Sequence, residues 1–254
     1  MTPNRVDEAL ARARAFVAAR GDERAQVRLA VALCAAPRER LLAAVRFCPP
    51  AGVGGALAVL AALDAPGGLR GGAVEPAVAW LAEAQAEDGA WSAAPAAVDT
   101  ERTVMTGLLA GFLAKTSCAR AETLGRAGTF LAARWRPELV EGDFGLLAGY
   151  AHFFANAPSE LADAALQWCG RALERGARSG RIRGWQAGRV LALCETASLP
   201  GSRLAPAEVV SSMLDEQEQD GGWLAGAVDS AARVAVTLDA TASLVRLVGS
   251  PSRR

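Results

Sequence analysis

The heptapeptide Gln85-Ala86-Glu87-Asp88-Gly89-Ala90-Trp91 occurs twice in this chain, returning as Gln217-Glu218-Gln219-Asp220-Gly221-Gly222-Trp223. Gln, Asp, Gly and Trp keep the same internal spacing, and the copies lie 217 − 85 = 132 residues apart. Three units of about 44 residues fill that offset, inside the 20–50-residue range of repeat architectures. An apolar stretch leads into each Gln, Trp80-Leu81 in one copy and Met213-Leu214 in the other. The local chemistry predicts a helix that stops at the Gln, followed by an Asp-Gly turn whose Gly takes positive φ without a Cβ clash. The Trp then folds back over the helix end. The Gln amide is expected to bond unpaired terminal backbone groups while its flat face lies against the indole.

Around these turns, apolar residues recur at helical spacing. A first helix from Asn4 to Ala19 carries Val6, Leu10, Ala13, Phe16 and Val17 on one side. Gly21-Asp22 separates it from a second helix through Leu29, Leu33 and Cys34, and Pro37 opens a third. Further helices are expected over 56–63, 74–86, 100–115, 120–135, 145–156, 160–175 and 186–197, with one starting at Pro206 and a last one over 229–248. Loops are expected at 49–55 and 66–72. Gly142-Asp143-Phe144-Gly145 and Gly180-Arg181-Ile182-Arg183-Gly184-Trp185 look like eroded copies of the repeated turn. No segment sustains strand alternation, and an Ala-rich composition with only 6% aromatic residues favours closely packed helices.

The expected fold is therefore all-α: helices paired into six hairpins across one domain spanning 1–254. The simplest arrangement is an α/α toroid, a double ring around a central apolar cavity. The helices preceding the Gly-aromatic turns would lie outside. The more uniformly apolar ones (56–63, 103–113, 146–154, 190–194 and 234–245) would form the inner ring. An open solenoid is the alternative, and it leaves two unclosed ends.

The repeated heptapeptide resembles the repeat motif of squalene and oxidosqualene cyclases and of protein prenyltransferase β subunits. That resemblance implies an α/α toroid whose cavity accepts isoprenoid chains. The prenyltransferases hold zinc through Asp, Cys and His; here His152 is the only histidine and no Cys follows an Asp by two residues, so no metal and no cofactor is expected. Class II terpene cyclases carry Asp-x-Asp-Asp-Thr-Ala at the start of an inner helix, and its middle Asp protonates an alkene or epoxide. The segment Asp99-Thr100-Glu101-Arg102-Thr103-Val104 stands at the equivalent place, just after the first turn. Asp99 and Thr103 match, Glu101 occupies the proton-donor position, and Arg102 replaces the last Asp.

A general acid must be protonated when substrate binds; Asp99 would raise the pKa of Glu101, whereas Arg102 and the helix N-terminus would lower it. The same residues also read, more simply, as a helix start. Asp99 or Thr100 is then an N-cap, Glu101 a first-turn acid and Arg102 a solvated side chain. Asp229-Ser230 after the second turn offers such a cap with no acidic pair. Asp239, alone in an apolar inner helix, is the reserve proton donor.

Tyr150, His152, Phe153 and Phe154 cluster on one inner helix, where aromatic faces stabilise carbocations by about 0.5–2 kcal/mol or simply fill the core. Arg175, Arg178, Arg181, Arg183 and Arg189 form a basic run that matches a diphosphate or a solvated loop. Tyr150, His152, Phe154, Trp185 and Arg189 are the expected substrate-binding residues. The implied activity is protonation-initiated cyclisation of an isoprenoid or prenylated substrate. The alternative is a non-catalytic toroid that holds a lipid or a partner protein.

A formal charge of +0 gives no field for nucleic acid. Five cysteines without a C-x-x-C pair suggest reduced thiols in a cytoplasmic protein, and Arg5, Asp7 and Glu8 argue against a secretory signal. The uncharged run from Phe47 to Leu63 is broken by Pro49-Pro50 and several glycines, so it does not read as a spanning helix. The expected partner is a hydrophobic isoprenoid small molecule, met in the cytoplasm; peripheral membrane contact and oligomeric state are left open.

Overall fold

The structure is a computed structural model and describes residues 3–46, 48–64, 68–224 and 229–249. Among these residues the chain forms α-helices, a few 3₁₀ turns and no strand. The helices are α1 (Pro3–Arg20), α2 (Glu23–Ala32), α3 (Arg38–Ala44), α4 (Gly52–Asp64), α5 (Glu75–Ala84), α6 (Asp99–Ala114) and α7 (Ala121–Arg134). They continue with α8 (Leu139–Gly142), α9 (Phe144–Asn156), α10 (Ala162–Arg178), α11 (Gly184–Leu193), α12 (Pro206–Asp215) and α13 (Ser230–Val248). Every helix expected from periodicity is present. The addition is α8, a single turn after Pro137 that buries Val140; four residues are too short to display a period. Of the loop expected over 66–72, Pro66 and Gly67 lie outside the described residues, as does Phe47.

The helices gather into two compact units. One comprises Met1–Ala44, Gly176–Ser198 and Arg203–Arg254; the other comprises Val45–Arg175 and Leu199–Ser202. In the first, α13 packs against α11 on one side and α2 on the other, with α12 and α1 laid against it. In the second, α6 packs between α4 and α9, with α5 on α4 and α7 on α6.

The α6–α9 contact is the tightest in the second unit, and its cause is glycine. A Cβ on Gly107 would sit 2.7 Å from the Gly149 backbone, and one on Gly111 would sit 2.5 Å from the His152 ring. Removing those side chains lets the buried faces of two helices approach until their backbones touch. Residues 106–113 of α6 and 146–154 of α9 are all buried. The only lysine ties the unit together at its edge: Lys115 Nζ donates to Asp64 Oδ1 at 3.0 Å, and both side chains are about nine-tenths buried.

The two eroded turns are not copies of the repeated one. At 142–145 no glycine has positive φ; Asp143 instead N-caps α9, accepting from Leu146 N at 2.9 Å, and Phe144 is already helical. At 180–185, Gly180 (φ +73) ends α10 and Trp185 sits in the first turn of α11. The amides of Gly184 and Trp185 donate to the Glu216 carboxylate at 2.7 and 3.2 Å. Each site solves a different problem, the capping of a helix N-terminus.

Candidate functional site

The two Gln-to-Trp turns repeat the same φ values and hydrogen bonds. Gly89 and Gly221 both have φ +89, where only glycine is unstrained. Trp91 and Trp223 are fully buried, and each indole Nε1 donates back into the preceding helix, to Leu81 O and Met213 O, at 2.8 Å. Each Trp amide donates to a threonine hydroxyl one helix further on, Thr106 at 3.0 Å and Thr237 at 3.2 Å. The Gln amide differs from expectation. Gln85 Nε2 donates to Gly89 O and to Thr123 O on α7, and Gln217 Nε2 to Gly221 O and to Ala9 O on α1. It therefore rivets the turn to the next helix instead of capping its own, because the indole already satisfies a carbonyl there.

The turn aspartates carry partners that sequence reasoning missed. Arg102 Nη2 donates to both oxygens of Asp88 at 2.8 and 2.7 Å, and Arg233 forks onto Asp220 at 2.9 and 3.0 Å. Arg102 is thus neither solvated nor a stand-in for a catalytic acid; it is the counterion of the repeat. Partial burial is the largest single influence on Asp88 and works upward. Hydrogen bonds from Arg102 and the Ala90 amide, with the charges of Arg102 and Arg134, outweigh it and hold the carboxyl below its usual range. At Asp220 the Arg233 hydrogen bond dominates, joined by Arg20 and the Gly222 amide against partial desolvation, and the carboxyl falls well below that range. The same pairing raises Arg233.

The receiving helices are also copies. Glu8, Leu10, Arg12, Ala13, Phe16, Ala18, Ala19 and Arg20 of α1 recur as Glu122, Leu124, Arg126, Ala127, Phe130, Ala132, Ala133 and Arg134 of α7, offset by 134 − 20 = 114. Each turn glycine lies against the arginine carbonyl: a Cβ on Gly89 would be 2.3 Å from Arg126 O, and one on Gly221 2.3 Å from Arg12 O. Each Phe ring is flanked by two guanidiniums, Arg102 and Arg134 over Phe130, Arg20 and Arg233 over Phe16. The first helix of the chain therefore takes the place after α13 that α7 takes after α6. The signal was present as Arg-x-x-x-Thr after each Trp and as the repeated helix. It is hidden because the second copy's receiving helix precedes it by some 200 residues, as the pairs Arg12–Gln217 and Arg20–Asp220 record.

The candidate acids do not converge. Glu101 is exposed. The Asp99 side chain is 72% exposed and loosely paired, 3.7 Å from both Arg102 and Arg134. Val98, not Asp99, is the N-cap residue of α6, and it supplies no side-chain cap. Asp239 is the most screened of the three at 21% exposure. Its oxygens are engaged by Arg28 at 2.7 Å and Arg189 at 3.4 Å, so no free buried carboxyl stands on α13.

The aromatic candidates divide by helical geometry. Tyr150 and Phe154, four residues apart, share the face turned to α7, where Trp135 meets them edge-on at 4.9 and 5.6 Å. His152 points the other way, against Gly111 and edge-on to Phe112 at 4.4 Å. They are core packing between different pairs of helices, not one cation-stabilising wall. The basic run also disperses: Arg175 pairs with Glu141, Arg181 donates to Ser179, and Arg189 turns to Asp239. Trp185 is buried beside a cleft of about 70 Å³ formed with Arg183, Glu216, Glu218 and Leu224.

One concavity brings two predicted residues together. A groove of about 260 Å³ at the start of α6 is lined by Asp99, Thr100, Thr103, Arg134, Arg136 and Tyr150, with Leu139 and Leu146 on its apolar side. Burial pushes the Tyr150 phenol up to about 12 despite the opposing charges of Arg134 and Arg136, so it enters neutral chemistry only as an O–H donor. Among the described residues no group of three or more His, Cys, Asp or Glu side chains gathers to hold a metal ion, and no helix is long and apolar enough to cross a membrane. No protein-family model, no curated protein and no solved structure matches the chain.

Proposed function

We propose that this chain is a non-catalytic α/α-toroid that holds an apolar, isoprenoid-type ligand against its inner helices. The observation that carries the reading is the fate of the carboxylates. Glu101 faces solvent, Asp99 is largely exposed, and Asp239 is gripped by two arginines, so none is presented as a free acid to a buried alkene. Ring closure is supported by α1 acting as the receiving helix for the turn before α13, which brings the first and last helices into contact as a double ring requires. Among the described residues the large exposed hydrophobics are Val98, Leu139 and Leu161, too few and scattered to favour a partner-protein surface over an internal guest.

The test is equilibrium binding of a fluorescent polyprenyl analogue to the wild type and to Glu101→Gln and Asp239→Asn variants. Saturable binding of similar strength in all three supports a holder without acid chemistry; absence of binding overturns it. A second reading, protonation-initiated cyclisation, rests on Asp239 being the candidate acid most shielded from water. Cyclised product from the wild type that vanishes in Asp239→Asn would establish it.

A further inference from the structure

Arg134 and its copy Arg20 occupy equivalent places, yet they are used differently. Arg20 pairs with the turn aspartate Asp220. In the first copy Arg102 alone hydrogen-bonds Asp88, through both its oxygens, while Arg134 acts on Asp88 only through its charge and lines the groove. Its Nε is buried without an acceptor within hydrogen-bond distance, and Asp99 Oδ2 stands 3.7 Å away. A guanidinium N–H withdrawn from water and left unbonded is costly, and an incoming oxyanion removes that cost.

Three neighbours reinforce the point. Arg136 is exposed at the groove, its Nη1 donating only to the carbonyl of Trp135 at 2.6 Å. The Tyr150 hydroxyl has only a long contact, 3.5 Å to Leu131 O, and stays protonated. The first amides of the sixteen-residue helix α6 have no side-chain cap, leaving them to favour negative charge. Against these stands one carboxylate, Asp99. Two guanidiniums against one acid leave the groove net positive, and Leu139, Leu146 and Ala133 give it an apolar wall.

We infer that this groove is a binding site for a small organic oxyanion, a phosphate monoester carried on an apolar body. Arg134 and Arg136 hold the oxygens, Tyr150 donates a third hydrogen bond, and the leucines cover the body. The inference does not rest on the proposed isoprenoid cavity: Thr103, Leu146 and Tyr150 belong to α6 and α9, which that reading places in the inner ring, but the oxyanion is held by Arg134 and Arg136 at and just after the end of α7.

Phenyl phosphate is the probe, with inorganic phosphate and benzyl alcohol as half-ligands, titrated by calorimetry into the whole chain at low ionic strength. Phenyl phosphate should bind one per chain and more tightly than either half-ligand, and the binding should weaken as salt rises. Arg134→Gln and Arg136→Gln should each weaken it about tenfold, as expected for loss of a charge-assisted hydrogen bond. Asp99→Asn should tighten it about threefold or more by removing the opposing charge. Arg5→Gln, an exposed arginine in the other unit, should leave it unchanged. Arg134 also stacks on Phe130, so if Arg134→Gln lowers the melting temperature, Arg136→Gln and Asp99→Asn decide the matter. No saturable binding, equal binding of benzyl alcohol, or indifference to both of those substitutions overturns the assignment.

Discussion

Replacing Gly221 by alanine tests the repeated turn where it matters most, at the junction with the first helix. Two terms add. A side chain held at φ +89 costs about 1–2 kcal/mol in the left-handed region. The new Cβ would lie 2.3 Å from Arg12 O and 2.6 Å from Arg12 C, roughly 1 Å inside ordinary contact, so turn and helix must separate. Overpacking of that kind costs about 1–3 kcal/mol. Together they predict a loss of about 2–5 kcal/mol, or a fall of roughly 5–15 °C in melting temperature for a chain of this length. Thermal melting by circular dichroism gives the total, and hydrogen exchange locates it: α1 amides should lose protection first. Gly89→Ala should cost about the same, since its distances to Arg126 repeat those at Gly221, but should loosen α7 instead. Gly125→Ala is the control. It is helical with open space at its Cβ, and alanine there should be neutral or stabilising by up to about 1 kcal/mol. A Gly221→Ala protein within about 1 kcal/mol of wild type, or one whose α1 keeps full protection, refutes the docking of the turn on α1.

Gly111→Ala should force α6 from α9, because its methyl would meet the His152 ring at 2.5 Å; a loss of about 1–3 kcal/mol by denaturant titration is expected. Asp64→Ala should cost about 3–5 kcal/mol by breaking the buried Lys115–Asp64 pair, and double replacement of the pair by apolar residues should recover most of it. Absorbance titration should find the phenol of the only tyrosine ionising near pH 12 instead of 10. Its folded pKa lies above the unfolded one, so this contribution to stability is complete below pH 10 and is lost as pH climbs toward 12.

The helices were legible because apolar spacing reports burial directly, and α6 and α9 are buried almost residue by residue along the stretches that read as apolar. The turn was legible because Asp-Gly and Trp carry their own geometry, positive φ in one case and an indole N–H seeking a carbonyl in the other. What the sequence concealed was partnership. Arg102 looked like a defect in an acidic motif because its true partner, Asp88, lies 14 residues earlier, in the turn before its helix. Asp239 looked like an isolated acid because Arg28 is 211 residues distant. Tyr150 and His152 looked like one aromatic cluster because two residues of sequence separation conceal opposite faces of a helix. The groove at the start of α6 was not foreseen, since Arg134 and Arg136 acquire their setting only when α7 and α9 meet.

On the proposed function an apolar guest is held and not transformed. Incubating the purified chain with deuterated polyprenyl substrates, then extracting and analysing the bound fraction by mass spectrometry with chromatographic separation of isomers, addresses this directly. The proposed function predicts that the polyprenyl chain is recovered bound, stoichiometric and chemically unchanged. Recovery of a cyclised isomer, or of no bound chain at all, contradicts it.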